Sequence, residues 1–191
     1  MKFTISILYG SVRTNRSGIR AAYFLKNQIE NRGYKVHFID PIEFSLPLID
    51  KMYKEYEPGN APENMQKLAN FFEESDGFII VSGEYNHSIP PALKNILDHF
   101  QSEYLYKPSA LVTYSAGAYA GVRVAVHLRA ITGELGMSSI PSMLSIPKVS
   151  INFTESGTTD NPKIIQSTAK FLNEFEWYLE ALKTQRLKNI T

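Results

Sequence analysis

The chain has 191 residues, with 20 Lys and Arg against 19 Asp and Glu, a formal charge of +1, and 43% hydrophobic residues. That length and composition suit a single domain spanning residues 1–191 and exclude disordered, collagen-like and low-complexity classes, while the charge balance gives no reason to expect nucleic acid or an acidic membrane as partner. There is no cysteine, which excludes disulfides, thiol nucleophiles, Cys-ligated clusters and Cys-containing zinc sites, so any redox chemistry must reside on a bound group.

Residues 3–9 read as a buried first strand. Thr4 and Ser6 interrupt a signal-peptide reading, and Arg13 and Arg16 stand where a small-residue cleavage site belongs. No window reaches membrane-spanning length, so a cytoplasmic protein is expected. A helix opens at Arg16 or Ser17 and runs to about Asn31, with Ile19, Ala22, Leu25 and Ile29 on one face and Gly33 ending it. Residues 35–39 form a second strand. Residues 41–59 read as a lid or loop rich in Pro and aromatic residues, with Phe44, Leu46, Leu48, Met52 and Tyr53 available to a lid or a partner.

Met65, Leu68, Ala69 and Phe72 mark the next amphipathic helix, with Pro62 near its start. Gly77-Phe78-Ile79-Ile80-Val81 is the clearest buried strand. Pro90-Pro91 leads a helix striped by Leu93, Ile96, Leu97 and Phe100. Residues 110–114 are a fourth strand, followed by a helix through Val124, Leu128, Ile131 and Leu135 that Gly136 closes. Residues 137–143 hold the fifth strand, and 145–162 read as irregular. The last helix carries Ile165, Leu172, Phe175, Leu179 and Leu182. Strands alternating with helices predict an α/β fold with a parallel sheet covered on both faces. The spacing suits the flavodoxin-like three-layer order 2-1-3-4-5.

In such sheets the ligand crevice lies beyond the carboxyl ends of the strands. Three loops arrive there. Residues 10–18, Gly-Ser-Val-Arg-Thr-Asn-Arg-Ser-Gly, match neither a Walker loop nor Gly-x-Gly-x-x-Gly. Hydroxyls and guanidinium groups just before a helix N-terminus suit a phosphate dianion, and the alternative is a solvated loop with Ser17 as N-cap. In residues 82–91, Gly83 permits unusual backbone angles or a close approach, and Tyr85 and Asn86 offer a ring face and polar edge; the alternative is a turn entering a helix. Residues 113–121 are small enough for backbone amides to approach a flat ligand, or are simply a small-residue turn. His37, His99 and His127 are scattered and His87 is a loop histidine, so no metal site is expected. Lys94 and Asp98, one helical turn apart, read as a solvated pair.

These segments together resemble the NADPH-dependent FMN reductase family, which includes quinone, azo-dye and chromate reductases. The resemblance runs through Gly10-Ser11-x-Arg13-x-x-Arg16, Glu84-Tyr85-Asn86-His87-Ser88-Ile89-Pro90 and Leu93-Lys94-Asn95-x-x-Asp98. It continues through Tyr114-Ser115-Ala116-Gly117, Gly121-Val122-Arg123, Leu128-Arg129 and Trp177. It implies an FMN site in which Ser11, Arg13, Arg16 and Ser17 hold the phosphate. Glu84, Tyr85 and Asn86 line the isoalloxazine, with Ser115 and Gly117 on the far side. The implied reaction is ping-pong: hydride passes from NADPH or NADH to N5 of FMN, then electrons pass to a small acceptor in the same pocket. No catalytic side chain is implied. A homodimer or dimer of dimers is implied as well. Gly83 replaces the family's usual proline, which is expected to loosen its loop. Ala118 and Ala120 stand where glycine is common, and their methyls are expected to crowd the ring or nicotinamide. A flavodoxin-type electron carrier and a non-enzymatic FMN-binding regulatory module are the alternatives on the same fold; the near-balance of charge argues against the carrier.

Overall fold

Side chains alternate across a strand, so an uninterrupted apolar run such as residues 77–81 must be buried on both faces. The computed structural model, which describes residues 2–188, shows this arrangement. The strands β1 (Thr4–Tyr9), β2 (Lys35–Ile39), β3 (Gly77–Gly83), β4 (Pro108–Tyr114) and β5 (Ser138–Ile146) form one parallel sheet in the order β2-β1-β3-β4-β5. The helices are α1 (Ile19–Asn31), α2 (Glu63–Glu74), α3 (Pro91–Asp98), α4 (Val124–Glu134), the short α5 (Val149–Asn152) and α6 (Pro162–Arg186). Ile79 and Val81 pack with Phe24 and Leu25 of α1 and with Phe171 and Phe175 of α6. Phe78 and Ile80 face the other way, onto Phe72 of α2, Leu97 of α3 and Leu128 of α4. This is the flavodoxin-like three-layer sandwich that the alternation predicts.

The departures from the expected elements are local. α1 starts at Ile19, not at Arg16 or Ser17, because residues 16–18 make tight turns in which Ile19 N–H donates to the Arg16 carbonyl (3.1 Å) and Arg20 N–H to that of Ser17 (3.2 Å). Gly18 is the N-cap and makes no side-chain bond, so Ser17 does not cap. β5 continues to Ile146, three residues past the expected end, because Thr113 and Tyr114 still pair with Ser145 and Ile146. The stretch 145–162 therefore contains the end of β5 and all of α5. In α6 the buried stripe is Ile164, Thr168, Phe171, Leu172, Phe175 and Leu179; Ile165 is 44% exposed. One residue around a helix turns a side chain by about 100°, enough to take Ile165 off the stripe.

The segment 41–59 is pinned onto α3. Asn95 accepts from Ile49 N–H (3.0 Å) and donates to the Pro47 carbonyl (2.8 Å), while Tyr53 N–H donates to the His99 carbonyl (2.8 Å). Phe44 is buried beneath it, whereas Leu48 is 84% exposed. At the other side of the molecule the open edge of β5 is blunted. Pro141 stands in it, Arg129 donates to the carbonyls of Ile140 (3.0 Å) and Pro141 (2.7 Å), and Glu174 accepts from Ser142 N–H (3.3 Å). These contacts occupy backbone groups that a second edge strand would otherwise pair with. The pair Lys94–Asp98 forms on α3 as expected. Among the described residues no helix is long and apolar enough to cross a membrane.

β2 carries one titratable group inside the packing. His37 is buried, its ring stacked 4.2 Å from that of Phe71, with Nε2 3.0 Å from Glu74. Burial lowers its pKa from 6.5; the Glu74 carboxylate opposes this in part, and Lys35 reinforces it. A depressed histidine favours folding when neutral. Stability is therefore at full value above about pH 6.5 and falls as the pH drops through the lowered pKa. Urea unfolding of the wild type should show this loss on acidification, and His37→Gln should reduce the slope in that window.

Candidate functional site

β1, β3 and β4 end side by side, and a cavity of about 420 Å³ opens between the loops that follow them. Of the residues singled out from the sequence, Ser11, Arg13, Arg16, Ser17, Glu84, Tyr85 and Ser115 line it. Asn86 and Gly117 are exposed and lie outside the lining. Asn15, Gly18, Tyr114, Ala116 and Val149 complete the walls together with Gly83.

The floor is the ring of Tyr114, which stacks on the buried ring of Tyr9. The rings of Tyr9 and Tyr114 lie 6.2 Å apart at 19°, and the Tyr114 hydroxyl donates to that of Tyr9 (3.3 Å). Burial is the leading cause that raises both pKa values, so both remain neutral phenols beneath the cavity. Tyr114 fits because two neighbours lack side chains. A Cβ on Gly18 would lie 2.1 Å from the Tyr114 ring, and one on Gly83 would lie 3.2 Å from it. Gly83 is thus an ordered strand residue paired with Tyr114, not a loosened loop position, and its φ is not in the left-handed region.

The first wall is the β1–α1 loop. Ser11 is buried; its Oγ accepts from Arg13 N–H (3.3 Å) and lies 2.9 Å from the Tyr85 hydroxyl. The amides of Thr14, Asn15 and Arg16 donate to no group among the described residues. Arg13 is exposed and has no carboxylate partner among them. Arg16 differs. Its guanidinium grips Asp40, just past β2, with NH1 at 2.5 Å and NH2 at 2.7 Å, and NH1 also donates to the Ser11 carbonyl (3.1 Å). Asp40 was missed from the sequence, although its place at the carboxyl end of the strand beside β1 is a usable signal.

The second wall is a tight hairpin. Tyr85 and Ser88 exchange both backbone hydrogen bonds at 2.9 Å, and Asn86 and His87 both take positive φ (48° and 66°). That is the two-residue turn with both central residues left-handed, for which asparagine at the first position is well suited. Glu84 is spent on structure. Its carboxylate accepts from the backbone N–H of Arg123 (3.0 Å) and from its guanidinium (3.1 Å), tying the hairpin to the β4–α4 loop.

The third wall is clamped from behind. Ser115 N–H donates to the Ile146 carbonyl (3.2 Å), Val149 N–H to that of Ser115 (3.0 Å) and Lys148 N–H to that of Gly117 (2.9 Å). Ala118 is exposed and Ala120 is buried, and neither methyl borders the space between the three loops. Ala120 instead sits at φ 54°, a strained angle for a residue with a Cβ. Among the described residues no cluster of three or more His, Cys, Asp or Glu is arranged to hold a metal ion.

The donor set fits a flavin mononucleotide. One end offers unpaired amides, a buried serine hydroxyl and a free guanidinium to an anion; the other is a slot floored by a neutral aromatic ring and walled by backbone. Comparison with known proteins agrees. A sequence description of the family "NADPH-dependent FMN reductase" matches residues 3–150. The chain is 27% identical over 185 residues to a 2-hydroxy-1,4-benzoquinone reductase from a Burkholderia species, covering 92% of this chain and 93% of that protein. It is 26% identical over 124 residues to an NADPH azoreductase from a Bacillus strain, covering 64% and 69%. Among solved structures it resembles the flavoenzyme NAD(P)H:(acceptor) oxidoreductase FerB from Paracoccus denitrificans, with a TM-score of 0.77, 21% identity and coverage of 94% and 98%.

Two substitutions probe this construction. Gly18→Ala should displace the Tyr114 ring and cost about 1–3 kcal/mol of stability, read as a lower urea midpoint. Ala120→Gly should relieve the left-handed strain and gain up to about 1 kcal/mol, raising that midpoint.

Proposed function

From the premise that the chain belongs to the NADPH-dependent FMN reductase family, we propose that this cavity holds FMN and serves NAD(P)H and a small acceptor in succession. The protein is an oxidoreductase using FMN with NAD(P)H as reductant. The acceptor class we propose is a quinone or azo compound, in keeping with the relatives' activities. The observation that carries the reading is the convergence on one cavity of an anion-ready loop and a flat slot.

Bound FMN supplies the redox chemistry, two-electron acceptance and donation, that no side chain of a cysteine-free protein offers. The chain's own residues bind and orient. Arg13, the hydroxyls of Ser11 and Ser17, and the amides of residues 14–16 hold the phosphate. Arg16 keeps that loop in shape through Asp40 and the Ser11 carbonyl. Tyr85 and the backbone of Glu84 and Asn86 form one side of the ring slot, and residues 115–117 form the other. Backbone donors along the slot favour negative charge on the bound ring without a titrating group. A homodimer is part of the proposal: Tyr119, Val122 and Val126 are exposed close to the slot in sequence and suit a partner surface.

Anaerobic mixing of the FMN-loaded protein with NADPH should bleach the visible flavin band, and a quinone should restore it. Initial rates varied in both substrates should give parallel double-reciprocal lines. Intersecting lines would sink successive use of one slot, and an unbleached band would sink the reductase reading. Light scattering should return twice the chain mass.

A further inference from the structure

The crevice brings two arginines to the end proposed to hold the phosphate, yet only Arg16 has a carboxylate partner among the described residues. Arg16 is held bidentately by Asp40, whose side chain is only 10% exposed against 17% for Arg16. Asp40 is itself fixed by a hydrogen bond from Ile42 N–H (2.9 Å) and by Phe44 N–H donating to its carbonyl (2.8 Å). The hydrogen bond that Arg16 donates to Asp40 is the leading cause that raises the Arg16 pKa. A bidentate pair is close to neutral when viewed from the cavity, even though some guanidinium N–H groups are left over. Arg13, on the same loop, has no such partner among the described residues.

Resting on the FMN reading of this cavity, we propose that Asp40 is a specificity-determining residue. By cancelling the charge of Arg16, it sets how strongly the site prefers a phosphorylated flavin over the unphosphorylated one. The phosphate dianion is then held by one net cation and by neutral donors, which limits how tightly FMN is retained. The flavin ring, bound at the other end, is indifferent to the pair. The consequence is specific to the phosphate. Removing the carboxylate charge while keeping an oxygen acceptor for Arg16 and Ile42 N–H should expose a second cation to the dianion. A charge newly unmasked beside a dianion in a partly desolvated loop changes affinity by about tenfold or more.

The experiment compares FMN with riboflavin as probes, reading dissociation constants from quenching of flavin fluorescence on titration with apoprotein. Asp40→Asn should raise the ratio of FMN to riboflavin affinity by about tenfold, and the gain should shrink as salt is added. The double variant Arg16→Gln with Asp40→Asn, which is neutral as the native pair is, should return the ratio to within about threefold of wild type. A purely structural role for Asp40 predicts that both flavins weaken together with the ratio unchanged. That outcome, or a double variant with the same raised ratio as Asp40→Asn alone, would overturn the proposal. Wild-type protein that binds neither flavin would instead refute the cofactor reading on which it rests.

Discussion

The site depends on the seating of one aromatic ring. Tyr114, the last residue of β4, occupies volume that side chains at residues 18 and 83 would need. Those residues belong to the start of α1 and the end of β3, so a single ring sets the spacing of the elements around the crevice. Its stacking on Tyr9, at the end of β1, locks the same position from below. A shift of the end of β4 toward α1 or β3 must therefore push this ring against Gly18 or Gly83, which close packing resists. The crevice is thus shaped by the packed interior, and its loops inherit their positions from strand ends.

Charge around the cavity follows a consistent economy. Arginines are present, but Arg16 answers Asp40 and Arg123 answers Glu84, and both pairs join segments distant in sequence. These pairs brace the walls more than they attract ligand. Beneath them the phenols of Tyr9 and Tyr114 remain neutral, so neither adds a negative charge under the cavity. A ligand with one dianionic end and a broad uncharged ring matches this distribution; a uniformly charged ligand does not.

The layered fold was legible because its signals are periodic. The run 77–81 can satisfy burial on both faces only as a central strand, and the α2 stripe of Met65, Leu68, Ala69 and Phe72 has the spacing of a helix with one buried face. What escaped prediction depends on register or on distant partners. Nothing local tells Ile164 from Ile165, since the choice rests on how α6 rolls against the sheet. The extension of β5 to Ile146 is decided by its pairing with β4. In the crevice, the residue types of the three loops were readable because topology brings strand ends together. The commitment of Arg16 to Asp40 was not, because a guanidinium on a loop looks free until the end of β2 is placed beside it. Gly83 was misread for a related reason: the space it leaves is filled by a residue on another strand.

The walls of the slot also differ in how they are held, and this bears on how a flat molecule enters. The segment 115–117 is fastened to the end of β5 and to α5 by backbone hydrogen bonds. The facing hairpin is closed by a two-residue turn without glycine and is tied by Glu84 to Arg123 across the mouth of the β4–α4 loop. Both walls are therefore fixed at their bases, while Asn86, His87 and residues 116–119 are exposed at the outer rim. Opening by wall movement would break several of these hydrogen bonds, whereas approach from the exposed rim breaks none. An open rim between fixed walls supports the proposal that two planar substrates take turns at one ring by the same route.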